Sequence, residues 1–191
     1  MQKEFTFTQR TVFVPSYSHS VNLVLIIGAS LLIALMSQAV VHLPFSPVPI
    51  TGQTFAILLV GASLGARRGA LAVLAYLAEG LMGLPVFAGG GAGLTHLMGP
   101  TGAFLLGFVA MAMVVGWLAE HGRDRCIQSA WLIFLAGEVA LFAIGLPWLT
   151  LYVGADKALA LGLLPFIPGE IIKIMLAGLA LPAAWRVTHA K

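Results

Sequence analysis

Long apolar runs, broken only by short polar or proline-rich turns, constrain this chain more than any other feature. Hydrophobic residues make up 60% of its 191 positions and charged residues only 9%, whereas a soluble domain carries roughly 25% charged residues. A domain of this size exposes too much surface to hide such a composition from water. The runs are continuous rather than alternating in polarity, which favours helices over a barrel. The sequence therefore predicts an all-α membrane protein.

Six apolar segments are candidates for crossing the bilayer. They cover residues 21–43, 53–64, 70–84, 100–118, 127–153 and 163–185. The second and third are shorter than the roughly 20 residues that a crossing helix needs, and a tight turn at residues 65–69 joins them. We predict a polar lead-in over residues 1–20 and one six-helix transmembrane domain over residues 21–191.

The basic residues predict how this bundle is oriented. With six crossings, Lys157 falls alone on one side, Lys173 lies inside the last segment, and the other eight share the opposite side. Those eight are Lys3, Arg10, Arg67, Arg68, Arg123, Arg125, Arg186 and Lys191. Since short loops rich in Lys and Arg stay in the cytoplasm, both termini are predicted to be cytoplasmic. The expected location is the cell's inner (plasma) membrane, crossed several times.

A charged pair inside the last apolar segment is the strongest candidate for chemistry. Glu170 and Lys173 are three residues apart, so on a helix they share one face. Each charge in a bilayer core costs roughly 2.5–3.5 kcal/mol on insertion scales, and pairing reduces that cost. We interpret the pair as a polar ligand site near the external half of the bundle. The alternative is a self-neutralising pair that only fixes helix packing.

Two other acids and a glycine-rich loop are weaker candidates. Glu138 lies midway along the fifth segment without an obvious local partner, which slightly favours a structural role. Glu79 lies near the loop, and the sequence does not distinguish a place in the same cavity from one at the external interface. The loop contains Gly89, Gly90 and Gly91, whose backbone can approach a ligand closely.

Several enzyme classes lack their signatures here. There is no GxxxxGK[ST] phosphate loop, so the chain has no recognisable ATPase of its own. The five histidines show no metal-ligand spacing, and neither a serine elbow nor an HExxH motif occurs. We therefore expect no enzyme activity, catalytic residue, metal, cofactor or nucleic-acid partner.

Small residues form a strip on the first apolar segment. Ser30 and Ala34 are four residues apart and follow Gly28 and Ala29. Such a strip lets two helix backbones approach closely. It predicts either packing inside this bundle or a docking face for another membrane subunit.

Five sequence blocks, in this order along the chain, resemble the BioY family, the biotin-binding S-components of energy-coupling factor (ECF) transporters. They are PVPITGQT at 47–54, LGARRG at 64–69, GLPVFAGG at 83–90, GPTG at 99–102 and FIPGEIIK at 166–173. The resemblance runs from about residue 21 to residue 185. It implies a six-helix subunit that binds biotin near the external face. The implied partners are a transmembrane coupling subunit (EcfT or BioN type) and cytoplasmic ATPases (EcfA or BioM type).

The same resemblance implies roles for individual residues. Glu170 and Lys173 occupy the family's ligand-binding acid and lysine positions, and Ser30 and Ala34 lie on its usual docking face. The acid is often Asp in relatives, so the longer Glu shifts the hydrogen-bond geometry. Some relatives carry Asn where this chain has Gly91, and backbone or water is expected to replace that contact.

Biotin has groups that such a site can bind. We expect Glu170 to accept bonds from the ureido N–H groups, and Lys173 to donate to the ureido carbonyl or attract the tail carboxylate. Apolar cover and additional polar contacts are expected from Phe87, Tyr76, Gln53 and Thr54.

The predicted function is capture of biotin from outside, with transport driven by ATP hydrolysed on partner subunits. Three alternatives stay open at this point. They are an S-component for another vitamin, a self-sufficient ion-coupled carrier, and a small intramembrane enzyme that uses Glu138 or Glu170 as an acid or base.

Overall fold

The chain folds into a bundle of helices. The computed structural model describes residues 18–122 and 127–189, with side chains as far as Leu181. The helices are α1 (His19–Ser37), α2 (Gln53–Leu81), α3 (Gly93–Leu97), α4 (Gly102–Glu120), α5 (Ile127–Val153), α6 (Ala155–Gly162) and α7 (Ile167–His189). A two-stranded antiparallel sheet, β1 (Val40–Val41) with β2 (Ile50–Thr51), and a 3-10 turn (Ala88–Gly90) are the other regular elements of the described ranges.

Helix α2 is a hairpin, because its direction reverses at Gly65. This residue has φ 81° and ψ 175°, a backbone conformation that glycine adopts without a steric penalty. The Gln53 amide donates to the Tyr76 hydroxyl at 2.6 Å, although 23 residues of straight helix would span about 35 Å. The Glu120 carboxylate, at the end of α4, accepts a 2.9 Å bond from the Ala66 N–H. The predicted turn between two short apolar segments is thus a break at one residue.

Most of these helices are long enough to cross a membrane. By length and composition, α1, α4 and α5 can each cross a bilayer, as can α2 when its two arms are counted as one length, and α6 with the described part of α7 forms a fifth candidate bent by 45°. The prediction of a multi-pass helical membrane protein is confirmed to this extent. The termini and residues 123–126 lie outside the described residues, as do most of the predicted lead-in and the basic residues Lys3, Arg10, Arg123, Arg125 and Lys191.

Helix α4 is the centre of the bundle, with α2 and α5 packed on either side of it. Met111, Ala112 and Val115 on α4 are fully buried. Glycines permit this close packing: a Cβ on Gly61 of α2 would lie 3.0 Å from the Ala112 carbonyl oxygen, and one on Gly107 would lie 3.0 Å from the Leu141 carbonyl oxygen on α5. The core is therefore made by close approach of helix backbones as well as by large side chains.

Two predicted boundaries change for identifiable reasons. The first apolar segment was expected to continue as a helix to Leu43, but α1 ends at Ser37 because Val40 and Val41 pair with β2 instead. The last was expected to start at Leu163, but α7 begins at Ile167 and follows a separate short helix, α6. Asp156 and Lys157, which lie between the predicted fifth and sixth segments, are in the first turn of α6.

The connections on one end of the bundle converge on each other. The Ser46 hydroxyl donates to the Leu161 carbonyl at 2.7 Å, and the Trp148 indole donates to the Gly99 carbonyl at 2.9 Å. The Gly65 break and Glu120 mark the opposite end. The candidate site lies at the first of these ends.

Candidate functional site

Four residues form a closed hydrogen-bonded group that we call the floor cluster: Thr51, Thr54, Glu170 and Lys173. The Lys173 ammonium donates to the Thr51 carbonyl at 2.7 Å, to the Thr54 hydroxyl at 2.8 Å and to one Glu170 oxygen at 2.8 Å. The Thr54 hydroxyl donates to the other Glu170 oxygen at 2.8 Å. An ammonium has three N–H donors, so Lys173 has used all of them within the protein. Each Glu170 oxygen accepts one bond and retains lone pairs.

The end of a strand and the first turns of two helices bring this cluster together. Thr51 closes β2 and Thr54 lies in the first turn of α2, so the hairpin of strands sets the position of both. Glu170 lies in the first turn of α7, one helical turn before Lys173. Pro168 suits this first turn, because the N–H that it lacks has no partner in a helix start. The ion pair is therefore held at the point where α7 meets the β2–α2 connection.

A cavity lies directly above the floor cluster. It contains about 540 Å³ of space, part of it open to the surface. Its polar residues are Thr51, Gln53, Thr54, His96, Thr101 and Glu170, and the rest of its lining is apolar. Glu170 is only 6% exposed, so its carboxylate is screened little by bulk water.

Aromatic rings make up one wall of the cavity. Phe104 and Phe142 lie edge to face with ring centroids 6.1 Å apart, and Phe142 and Phe166 do so at 6.3 Å. Phe108 extends this wall along α4. Edge-to-face packing of this kind is favoured by the charge distribution of the rings. The wall offers an apolar surface beside a charged acceptor.

Residues 86–101, here called the lid segment, close the other side. Ala88 and His96 line the cavity, and the His96 ring stacks on Phe87 at 5.2 Å. Phe87 is fully buried and meets Tyr76 edge to face at 5.5 Å. Burial lowers the pKa of His96 below its ordinary value, which favours the neutral imidazole at the cavity. A neutral imidazole has one donor and one acceptor nitrogen.

The predicted binding residues take different positions in this geometry. Gln53, Thr54 and Glu170 line the cavity, and Lys173 holds Glu170 from the floor cluster. The other predicted residues lie outside the lining: Tyr76 and Phe87, both buried behind it, and Gly89, Gly90 and Gly91, next to Ala88 in the lid segment. Their roles in binding stay predictions.

Sequence reasoning missed most of the apolar lining and one histidine. Thr101, Phe104, Leu105 and Phe108 lie at spacings of three, four and seven residues, which is the periodicity of one helix face. That signal was present in the sequence and pointed to this wall. His96 had no such signal, because its place in the cavity depends on how the lid segment folds.

Comparison with known proteins assigns this fold and cavity to a family. The family model described as the BioY family matches residues 7–190. The chain belongs to the BioY family. Curated relatives agree: the biotin transporter BioY of Rhizobium etli is 39% identical over 79% of this chain and 85% of its own length. The biotin transporter BioY2 of Lactococcus lactis is 39% identical over 85% and 90% respectively.

The BioY assignment extends to an archaeal protein and to a solved fold. A probable biotin transporter BioY of Pyrococcus horikoshii is 38% identical over 75% of this chain and 85% of its own length. The crystal structure of the S-component for biotin from an ECF-type ABC transporter superposes with a TM-score of 0.79. It is 24% identical and covers 90% of this chain and 95% of that one, so the likeness shows the S-component fold. Relatives named transporters place the chain among transport proteins and not among enzymes.

Ser30 and Ala34, the residues expected to dock a partner of this BioY chain, are both buried. Ser30 is fully buried and donates to the Glu79 carboxylate at 2.7 Å, and Ala34 is 8% exposed. The Ser30 bond ties α1 to α2, and the docking role of Ser30 and Ala34 stays a prediction. Glu79 does not line the cavity; its bond to α1 gives it a structural partner instead.

Proposed function

We propose that this chain is the biotin-capturing S-component of an ECF-type transporter in the plasma (inner) membrane. It binds biotin from outside and delivers it inward with a transmembrane coupling subunit and cytoplasmic ATPases that hydrolyse ATP. The observation that carries the proposal is the Glu170 carboxylate, held by Lys173 beside an aromatic wall in a chain of the BioY family. Names of relatives and the S-component fold support the same function.

The donors and acceptors of the floor cluster favour one way of binding the ureido group. A carboxylate has about four acceptor positions, and the protein uses one on each Glu170 oxygen. Glu170 therefore accepts a ureido N–H bond. Lys173 acts by holding Glu170 in place. To donate to the ligand directly, its ammonium has to give up a hydrogen bond to the Thr51 carbonyl, the Thr54 hydroxyl or Glu170.

The walls account for the rest of such a ligand. The aromatic wall covers an apolar thioether ring and an aliphatic chain, and His96 offers a hydrogen-bond partner from the lid segment. A ligand without a ureido group leaves the remaining Glu170 lone pairs without a donor, and such unpaired positions reject analogues strongly. Selectivity for biotin over fatty acids follows from this.

The proposed transport role includes a membrane topology with an even number of crossings, and the hairpin in α2 contributes two of them. Its two arms, residues 53–64 and 66–81, run in opposite directions, so they count as two short crossings. Counted with α1, α4, α5 and the α6–α7 pair, they make six crossings in the proposed topology, which has both termini on one side. The excess of basic residues on that side makes it the cytoplasm.

Direct binding tests the ligand assignment. Radiolabelled biotin is titrated into the purified, folded protein, with Glu170→Ala and Lys173→Ala as test variants and Lys157→Ala as a control lysine outside the cavity. We expect saturable binding by the wild type and the control, with binding lost in both test variants. Absence of binding by folded wild type, or stronger competition by thiamine or riboflavin than by biotin, overturns the assignment.

Reconstitution tests the partners. The chain alone in liposomes is expected to bind biotin without accumulating it under a proton gradient. Addition of a coupling subunit and ATPases with ATP is expected to give uptake. Accumulation driven by the gradient alone makes the chain an ion-coupled carrier instead, and chemical conversion of biotin by the chain alone makes it an enzyme.

A further inference from the structure

Glu138 is a buried acid that the site described above does not use. It lies in the middle of α5 and is 4% exposed. Neither of its carboxyl oxygens has a hydrogen-bond partner among the residues that the structure describes. A buried polar group without a partner is costly, so its retention here calls for a physical reason.

The surroundings of Glu138 place it next to the binding acid. It lines a cleft between α5 and α7 together with Glu170, and the other residues of that cleft are apolar. Glu170 and Lys173, both on α7, are the charged groups that act on it. The described part of α4, on the other side of α5, carries no titratable side chain before Glu120. Asp156 and Lys157 lie on α6, beyond the far end of α5.

Charge balance restricts the protonation of this group. One ammonium, Lys173, faces two carboxyls, and all three of its N–H donors are already used. If both carboxyls were ionised, the site would carry an uncompensated negative charge at bilayer depth. Such a charge is expensive in an apolar surrounding, and a proton on one carboxyl removes it. Glu170 has the ammonium and the Thr54 hydroxyl, so the proton belongs on Glu138.

We propose that Glu138 is a positioning residue for the ligand-binding acid: it keeps its proton and donates its O–H to the Glu170 carboxylate. This inference rests on the proposed function for its ligand and deepens it. Both acids line the same cleft, where an unused Glu170 lone pair is the acceptor for this O–H. Glu170 then has three of about four acceptor positions filled by the protein and presents one fixed position to a ligand N–H. The site carries no net charge before or after a neutral ureido group binds.

Two substitutions test this role, because one keeps the hydrogen-bond donor of residue 138 and the other keeps only its side-chain length. Glu138→Gln keeps a neutral hydrogen-bond donor of the same size, and we expect its biotin affinity to stay within about threefold of the wild type. Glu138→Met keeps the length and removes the donor, and it suits the apolar cleft well enough to fold. We expect its affinity to fall about 10-fold or more, the usual effect of losing a hydrogen bond to a charged group. Equal affinities for the wild type and Glu138→Met overturn the proposal.

A pH profile adds a measurement that a purely structural role does not change. Removal of the proton from Glu138 as the pH is raised puts a second negative charge beside Glu170, so wild-type affinity is expected to fall. Glu138→Gln has no proton to lose, and its profile is expected to be flatter. Because the two proteins differ only at Glu138, the difference between the profiles reports on this residue. Superimposable profiles overturn the proposal.

Infrared spectroscopy provides a readout that needs no ligand. The purified wild type at neutral pH is expected to show the C=O stretching band of a buried protonated carboxyl, absent from Glu138→Gln and shifted in Glu170→Gln, where the acceptor of the O–H changes. A band unaffected by Glu138→Gln overturns the inference even if biotin binds. Absence of biotin binding with the band present overturns the proposed ligand but leaves the Glu138–Glu170 relation intact.

Discussion

The floor cluster and the lid segment enclose the same cavity but are held in opposite ways. In the floor cluster, side chains bond to each other and Lys173 has no unused donor. In the lid segment, backbone carbonyls accept bonds from side chains elsewhere, such as Gln38 to Phe87 and Trp148 to Gly99. The lid segment also contains Gly89, Gly90 and Gly93 with positive φ. The chemistry of recognition is thus arranged before a ligand arrives, which lowers the cost of binding, while access depends on a segment with few side-chain bonds of its own.

Breaking the ion pair of the floor cluster is expected to have the largest effect. Lys173→Met leaves Glu170 buried without its cation, which costs about 3–5 kcal/mol, and biotin binding is expected to be lost. Thermal unfolding in detergent measures the loss of stability, and a binding titration measures the loss of affinity.

The double variant Lys173→Met with Glu170→Gln serves as the control for that experiment. It removes both charges, so it should recover much of the stability while still failing to bind biotin. Stability as low in the double variant as in Lys173→Met contradicts an account based on an unpaired charge.

Loss of the Thr54 hydroxyl is expected to have a smaller effect on the same cluster. Thr54→Val is nearly isosteric and leaves one Glu170 oxygen and one Lys173 N–H without a partner. Hydrogen bonds to charged groups are worth about 1.5–3 kcal/mol, so we expect an affinity loss of roughly 10- to 100-fold.

Thr51→Val is its matched control, since Lys173 binds the backbone carbonyl of Thr51 and not its hydroxyl. The Thr51 hydroxyl donates to Gln53 instead. An isothermal titration showing equal losses for both valine variants contradicts the preorganised floor cluster.

The sequence predicted the helices and the floor of the site better than the lid. The fifth apolar segment matches α5, because hydropathy alone determines a long membrane helix. Glu170 and Lys173 were found because charges three residues apart in an apolar segment are unusual. The end of α1 was misplaced, since Val40 is as apolar as the helix before it and only its pairing with Thr51 ends the helix. The place of His96 in the cavity and the burial of Ser30 depend on contacts between distant segments, which no local sequence pattern predicts.

Crowding of the lid segment is expected to reduce biotin affinity less than loss of a floor-cluster bond does. A Cβ on Gly91 would lie 2.5 Å from a ring nitrogen of His96, while one on Gly90 would meet no atom within 4 Å but requires φ 78°. Gly91→Ala therefore displaces the His96 ring. The displacement costs about 1 kcal/mol of free energy, so biotin binding should weaken about fivefold. Gly90→Ala reports the cost of backbone strain alone, about 1 kcal/mol of stability. A binding loss in Gly90→Ala equal to that in Gly91→Ala shows that the His96 ring is not the cause.

Acidification is expected to have the smallest effect, and to act on the lid segment through His96. Because burial lowers the pKa of His96 in the folded protein, the unfolded chain binds the proton more readily. The stability that this difference contributes is complete above the unfolded value of about 6.5 and declines as the pH falls below it. His96→Gln is expected to lose less thermal stability than the wild type between pH 7 and pH 5. His42→Gln, at an exposed position outside the lid segment, should behave like the wild type. If His42→Gln gives the same change as His96→Gln, the partly buried His96 ring is not the cause of the acid sensitivity.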